Sequence, residues 1–295
     1  MFIENIINDE GEPFELDTNS YRGKVYLELQ KTLKNFNEFL FIEFDCDDLS
    51  VPSTRFYPHD KRVLIWTSSE KKLNEIGQIR NDFYHIFANY YWDEENVTSI
   101  PLGYNNFLEA NYIPINERHY DISFMGMLNK NRVDMVSALT GIHKKLIALG
   151  IHLNDKKVIK FLNDYLNMID IKSKYFLSDQ FNFGVNSFQY CNGLRHSKVV
   201  LAPKGFINTE TFRIYEAMQY GCIVVTDKLP KRKYYEGIPA IQIDNWHDGI
   251  KQVKKILNDE NLLLELSDMH RKFYNDKLSP IATANLIAKT LENKQ

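Results

Sequence analysis

The thirty-four residues from Ser197 to Pro230, SKVVLAPKGFINTETFRIYEAMQYGCIVVTDKLP, restrict the fold more than any other stretch of the chain. An uninterrupted apolar run, Val199-Val200-Leu201-Ala202, stops at Pro203 and Gly205, the pattern of a strand buried on both faces. A polar loop over 204–208 follows. Asn208 or Thr209 is suited to cap a helix, with Glu210 in the first turn, where the helix dipole favours an anion. The helix runs to about Tyr220, and Gly221 is placed to cap its carboxyl end. Cys222-Ile223-Val224-Val225-Thr226 reads as a second buried strand ending at Asp227. Strand, helix and strand at these lengths make a βαβ unit, which requires a parallel sheet, so the fold class is α/β.

Helical spacing divides the connecting helix in two. Thr211, Ile214, Tyr215 and Met218 share one side, while Glu210, Arg213, Glu216 and Ala217 share the other. For an arbitrary helix, the charged side is a solvated face with ion pairs. Here it follows a Pro-Lys-Gly loop at the carboxyl end of a buried strand, where open α/β sheets bind ligands. Free N–H groups at the helix start, with Lys204 and Arg213, suit a pyrophosphate. Glu216 is able to accept hydrogen bonds from sugar or ribose hydroxyls.

Ser197-Lys198, Pro203, Gly205, Glu210-Thr211, Arg213, Glu216-Ala217 and the run 221–225 together resemble the donor-binding segment of exostosin-like glycosyltransferases. The resemblance covers about a ninth of the chain. It implies the GT-B fold: two Rossmann-like domains facing across a cleft, which transfer a sugar from a nucleotide donor. The expected division is 1–115 as the acceptor domain, 116–275 as the nucleotide-sugar domain, and 276–295 as a helix crossing back to the first. Lys204, Gly205, Asn208, Thr209, Glu210, Thr211, Arg213 and Glu216 are then the expected donor contacts. Lys130 and Arg132 join them from the basic loop after a strand over 120–127.

Composition sets bounds on this reading. Charged residues are 25% and hydrophobic residues 44% of 295, an ordinary globular balance with room for two domains. A net charge of −3 gives no electrostatic case for nucleic acid. Cys46, Cys191 and Cys222 are odd in number, far apart and without metal-ligand spacing, so they read as reduced core thiols. The start, MFIENIINDEGEP, lacks a basic segment followed by a long apolar run, and no stretch approaches a membrane span. A cytoplasmic enzyme is the expectation, with peripheral association at the inner face of a membrane left open.

Along the chain, residues 1–22 read as an edge strand or arm, 25–40 as a helix, and 39–44, 61–67, 82–91 and 97–104 as strands or strand-containing stretches. The segment 105–118 reads as a linker. Helices are expected over 132–139, 142–150, 158–169, 188–197, 248–257, 260–274 and 279–293, and strands over 151–153 and 240–243. Phe181 and Phe183 read equally as nucleobase contacts or core. Asp45-Cys46-Asp47 matches the short Asp-X-Asp signature that holds a metal in the other glycosyltransferase class, but in a loop it reads first as a turn former. No metal and no cofactor is expected, only a nucleoside diphosphate sugar, UDP-linked first, as donor.

The resemblance also implies inversion, and hence a general base on the acceptor side. Glu70, just beyond the 61–67 strand, is the first choice, with Asp93 or Glu94 second. Glu70 reads as readily as a cap of the helix after it. Arg213 and Glu216 complete the expected catalytic set. The acceptor is a saccharide or lipid-linked glycan in surface polysaccharide assembly. Two other readings share the features: a sugar-nucleotide epimerase of the same layout, and a non-catalytic carbohydrate-binding protein.

Overall fold

The structure is a computed structural model that describes residues 1–44, 57–67, 73–104, 112–152, 156–178 and 185–294. Asp45, Cys46, Asp47, Glu70, Phe181 and Phe183 lie outside the described residues. The chain divides into two compact units.

The first unit comprises Met1–Asn105, Lys231–Glu236 and Asn275–Gln295. Its sheet runs in the order β2 (Pro13–Glu15), β1 (Phe2–Asn8), β3 (Leu40–Phe44), β4 (Arg62–Trp66), β5 (His85–Ala88), β6 (Val97–Ser99). Among the strand pairs of the described residues, only β1–β2 is antiparallel. The expected arm is therefore a hairpin whose β1 lies inside the sheet, because Ile3, Ile6 and Ile7 need cover. Helix α1 spans Tyr21–Thr32, capped by Ser20 accepting from the Gly23 N–H, and is shorter than the helix expected over 25–40. Leu33, Phe36 and Leu40 keep helical spacing and are buried, but they sit in a turn and at the start of β3. Helix α2 is Leu73–Ile79.

The strip Lys231–Glu236 comes from within the stretch expected to form the nucleotide-sugar domain, yet groups with the first unit. Lys233 there pairs with Asp93 at 3.0 Å.

The second unit comprises Asn106–Pro230 and Gly237–Tyr274. All its strands are parallel, in the order β11 (Ile241–Ile243), β10 (Ile223–Asp227), β9 (Ser197–Ala202), β7 (Tyr120–Met127), β8 (Lys174–Ser178). Its helices are α3 (Val133–Thr140), α4 (Lys144–His152), α5 (Lys156–Ile169), α6 (Ser187–Arg195), α7 (Phe212–Gln219), α8 (Trp246–Leu257) and α9 (Glu260–Phe273). The last helix, α10 (Pro280–Glu292), returns to the first unit. There the Tyr21 hydroxyl is 2.7 Å from both the Leu278 carbonyl and the Thr283 hydroxyl, fastening α1 to α10. Among the described residues, no helix is long and apolar enough to cross a membrane.

One sheet face of the second unit sends Ile122, Phe124, Val199, Leu201, Ile223 and Val225 into a core shared with residues of α3, α5 and α8. At the β8 edge, backbone groups need partners that no strand among the described residues supplies. Asn163 on α5 meets the need: its Nδ2 donates to the Leu177 carbonyl at 2.8 Å and its Oδ1 accepts from the Leu177 N–H at 2.7 Å. Asn167, one turn on, does the same for Tyr175. A strand at 151–153 is not formed: Ile151 and His152 close α4, and residue 153 is outside the described set.

Cys191 and Cys222 are buried and free, and burial pushes both thiols up in pKa. Beneath the sheet, Arg118 Nη1 donates to the Ser197 carbonyl at 2.9 Å and meets Cys222 Sγ at 3.3 Å. On the far side of β10, the Val224 N–H donates to His270 Nε2 at 3.1 Å, and His270 Nδ1 meets the Leu266 carbonyl at 2.7 Å. These partners make Nδ1 the protonated nitrogen.

Candidate functional site

The strongest sequence feature folds as β9–α7–β10, with the helix start displaced. Helix α7 begins at Phe212 with Thr211 in the N-cap position, and Thr211 makes no capping bond. Asn208 and Thr209 therefore lie in the loop, and Glu210 precedes the helix rather than occupying its first turn. The carboxyl end is as expected. Gly221 has φ +68°, the Gly221 N–H reaches the Met218 carbonyl and the Cys222 N–H reaches the Ala217 carbonyl, which is the Schellman arrangement.

The solvated-face reading of α7 fails. Arg213 is 8% exposed, Glu216 2% and Ala217 0%, as buried as Ile214 and Met218 on the other side. Burying charge is costly unless it meets compensating groups, and the surroundings of Arg213 show how it is held. Its Nη2 donates to the Met125 carbonyl at 2.7 Å, and its guanidinium lies 4.7 Å from the centre of the Phe124 ring. A side chain at Gly126 would strike Arg213 Nη2 at 2.5 Å, so glycine at this point in β7 is what admits the arginine.

Arg132 arrives from the turn after β7 and is also buried. Its Nη1 donates to the Met127 carbonyl and its Nε to the Lys204 carbonyl at 3.4 Å, while its guanidinium is 5.6 Å from the same Phe124 ring. A Cβ on Gly126 would lie 3.6 Å from Arg132 Nη1, so the two guanidiniums converge on one point. Burial first, and then the Arg213 charge, push Arg132 down to about 9, with Tyr190 opposing. It therefore remains cationic at neutral pH. Neither arginine forms an ion pair with a carboxylate among the described residues, and Arg213 Nε is buried without a hydrogen-bond partner among them.

Glu216 is oriented by Tyr190 on α6, whose hydroxyl donates to Oε2 at 2.7 Å. Burial, and then the Glu216 charge, raise the Tyr190 pKa well above its ordinary value, so the proton stays on the phenol. The 203–211 loop is held from both sides. The Lys204 N–H donates to Asp227 Oδ2 at 2.7 Å, the Gly205 N–H to the Asn208 carbonyl at 2.8 Å, and Asn131 Nδ2 to the Gly205 and Phe206 carbonyls at 2.6 and 3.0 Å.

Arg132, Lys204, Gly205, Asn208, Arg213 and Glu216 thus gather at the carboxyl ends of β7 and β9 and the start of α7. Thr209, Glu210 and Thr211 lie in the segment that leads into that helix, Glu210 fully buried. Lys130 is exposed, in the same turn as Arg132. Asn131 and Asp227 were not among the expected site residues, and Gly126 was read only as the end of the strand before the basic loop, not as the position where two guanidiniums meet.

In the first unit, Asp93 and Glu94 are committed locally. Asp93 accepts from the Ser99 N–H at 2.7 Å and the Ser99 hydroxyl at 2.8 Å. Burial alone would raise its pKa, but these bonds and Lys233 hold it below the usual carboxylate range. Glu94 accepts from the Tyr91 hydroxyl at 2.8 Å and pairs with Arg80. No group of three or more His, Cys, Asp or Glu residues suited to a metal ion occurs among the described residues.

Residues 158–274 match the family model described as the RXYLT1 C-terminal domain. No curated protein matches the chain by sequence. Among solved structures, the chain is similar to an alpha-glucosyltransferase in complex with UDP-glucose and DNA containing an abasic site. The identity is 11% and the TM-score 0.56, over 98% of this chain and 87% of that one. It is similar to a glycosyltransferase from Rickettsia africae at 15% identity and TM-score 0.53, over 96% and 84%. It is also similar to a variant of S. aureus TarM in complex with Fondaparinux, alpha-GlcNAc-glycerol and UDP, at 14% identity and TM-score 0.52, over 97% and 59%. The chain thus spans 59% of the length of the TarM structures. The chain as a whole therefore has the GT-B glycosyltransferase fold, and its residues 158–274, which hold β9, α7 and β10, are similar to the RXYLT1 C-terminal domain.

Proposed function

We propose that the chain transfers a sugar from a nucleoside diphosphate donor, UDP-linked first, to a hydroxyl of a saccharide or glycoconjugate, with inversion and without a bound metal. One observation carries the reading: two buried guanidiniums converge at Gly126 with no carboxylate of their own among the described residues. Like charges held together in a low-dielectric site call for an anion, and a diphosphate presents two charges at that spacing. Arg132 and Arg213 stabilise the charge that develops on the leaving diphosphate. Glu216, fixed by Tyr190, accepts from a hydroxyl of the donor. That the matched alpha-glucosyltransferase and TarM variant were solved with UDP-glucose and with UDP supports the choice of nucleotide.

The acceptor falls to the first unit, with Glu70 the proposed base now that Asp93 and Glu94 are tied to Ser99, Tyr91 and Arg80. Surface polysaccharide assembly in the cytoplasm is the proposed setting.

A thermal-shift panel of uridine, guanosine, cytidine and thymidine diphosphates tests the donor site. At a hundredfold excess over Kd, the right nucleotide stabilises the protein by about 2.7 kcal/mol. The UDP shift is expected to be largest and unchanged by EDTA. No shift with any nucleotide removes the transferase reading in favour of a carbohydrate-binding protein. Turnover of a UDP-sugar to its epimer without an acceptor selects the epimerase.

Tyr190→Phe provides a narrower check. Losing a hydrogen bond to a charged group costs roughly 1.5–3 kcal/mol. Isothermal titration with UDP-sugar should show Kd rising about tenfold or more, while UDP itself, if Glu216 addresses the sugar, binds as before. Equal affinity for the UDP-sugar in both proteins would confine Tyr190 to packing.

A further inference from the structure

The surface formed by α4 and α5 concentrates exposed apolar side chains. Of the eighteen large hydrophobic residues exposed among the described residues, six lie between Leu146 and Ile171, in about a tenth of the chain. They are Leu146, Leu149, Phe161, Met168, Ile169 and Ile171, the last 84% exposed. Scattered exposed hydrophobics need no explanation, but a concentrated set does.

Helix α5 shows that the set is patterned. Leu162 and Leu166 face the core, and Asn163 and Asn167 on one flank close the β8 edge. The opposite flank carries Phe161, Tyr165 and Met168 at spacings of four and three, so they form one strip along the helix. The Phe161 and Tyr165 rings stack at 5.8 Å with 17° between planes, and Ile171 extends the strip beyond the helix end. Helix α4 packs on α5 where Gly150 meets Val158, and contributes Leu146 and Leu149.

Lysines interleave with the strip. Residues 144–174 contain seven lysines and three aspartates, a charge of +4 in a chain of net −3. Lys157 precedes Phe161 by one turn, Lys160 borders it, and Lys172 follows Ile171. Lys160 pairs with Asp164 at 2.7 Å, but both side chains stay largely exposed.

We propose that this α4–α5 face docks the protein on an anionic bilayer, with Phe161, Met168 and Ile171 entering the interface and Lys157, Lys160 and Lys172 at the headgroups. A flat amphipathic helix with aromatic and aliphatic residues bordered by lysines has the composition of an interfacial helix. The charge selects the occupant: a negatively charged lipid surface complements the lysines, whereas a second copy of the same face repels them. The inference stands apart from the transfer reaction, since docking requires neither donor nor acceptor.

Flotation of the full chain with vesicles tests it. The protein is expected to float with equimolar phosphatidylcholine and phosphatidylglycerol and to stay behind with phosphatidylcholine alone. Binding should fall as salt rises from about 0.1 M to about 1 M and the screening length shrinks from about 10 Å to about 3 Å. Lys157→Ala and Lys160→Ala should each weaken binding about fivefold. The combined Phe161→Ser, Met168→Ser and Ile171→Ser variant should lose it, with its melting temperature and its response to UDP preserved because the three side chains are exposed. Wild-type protein that ignores anionic vesicles overturns the proposal. So does binding that survives the triple substitution, or a salt-insensitive dimer in sedimentation that the triple substitution abolishes.

Discussion

Replacing Arg213 with alanine is expected to abolish the UDP-induced rise in melting temperature and to lower kcat by about 10²–10³-fold, the usual consequence of removing one preorganised donor to developing charge. The size of the effect follows from burial. Arg213 is 8% exposed and lies against Phe124, so water does not replace its charge at the proposed diphosphate site. Arg213→Lys is expected to recover little, because one ammonium cannot donate to the Met125 carbonyl, stack on the ring and meet a phosphate together. Melting of the ligand-free variants separates this effect from lost packing. Undiminished UDP stabilisation in Arg213→Ala would remove the residue from the donor site.

The second large effect is on stability and its pH dependence. Burial pushes His270 down to about 4, with only the bond to Leu266 opposing, because a proton on Nε2 would set a donor against the Val224 N–H. Above about pH 6.5 the ring is neutral in folded and unfolded chains, and its contribution is complete. As pH falls from 6.5 toward 4, the unfolded chain takes up a proton that the folded chain refuses. Stability then drops by about 2 kcal/mol at pH 5 and about 3 kcal/mol at pH 4. His270→Ala should destabilise by about 3 kcal/mol at pH 7, from an orphaned N–H and a cavity, and should flatten that acid slope. Urea titrations between pH 7 and 4 measure both, and identical slopes for the two proteins would refute the account. His85 in the first unit, pushed down to about 3 chiefly by burial, has the same sign and survives in the variant.

The parts legible in sequence were those fixed by local chemistry. The apolar runs of β4, β7, β9 and β10 and the Gly221 terminus needed no tertiary information, because burial on both faces and a left-handed cap each leave a composition of their own. β8 was missed because KYFLS is short and its outer backbone bonds are made by two asparagines from α5. The α7 start was misplaced because polar residues at 208–210 serve the loop, where Asn131 and Asp227 secure the backbone, rather than a cap. The arginine pair was half legible: Arg132 and Arg213 stood out as basic residues near strand ends, but their convergence depends on Gly126 having no side chain. Spacing also could not show that the charged side of α7 is buried, since a solvated face and an enclosed binding face share one pattern.

The first unit is assembled from segments that precede and follow the second, with Tyr21 in α1 fastened to Leu278 and Thr283. Synthesis is vectorial, so α1 and its sheet emerge before the helix that starts at Pro280 and wait for it. The intervening 106–230 and 237–274 already contain a complete parallel sheet and its helices. The order of assembly is therefore the reverse of the order of translation: the half made second has its core available first, and the half begun first is completed only after it.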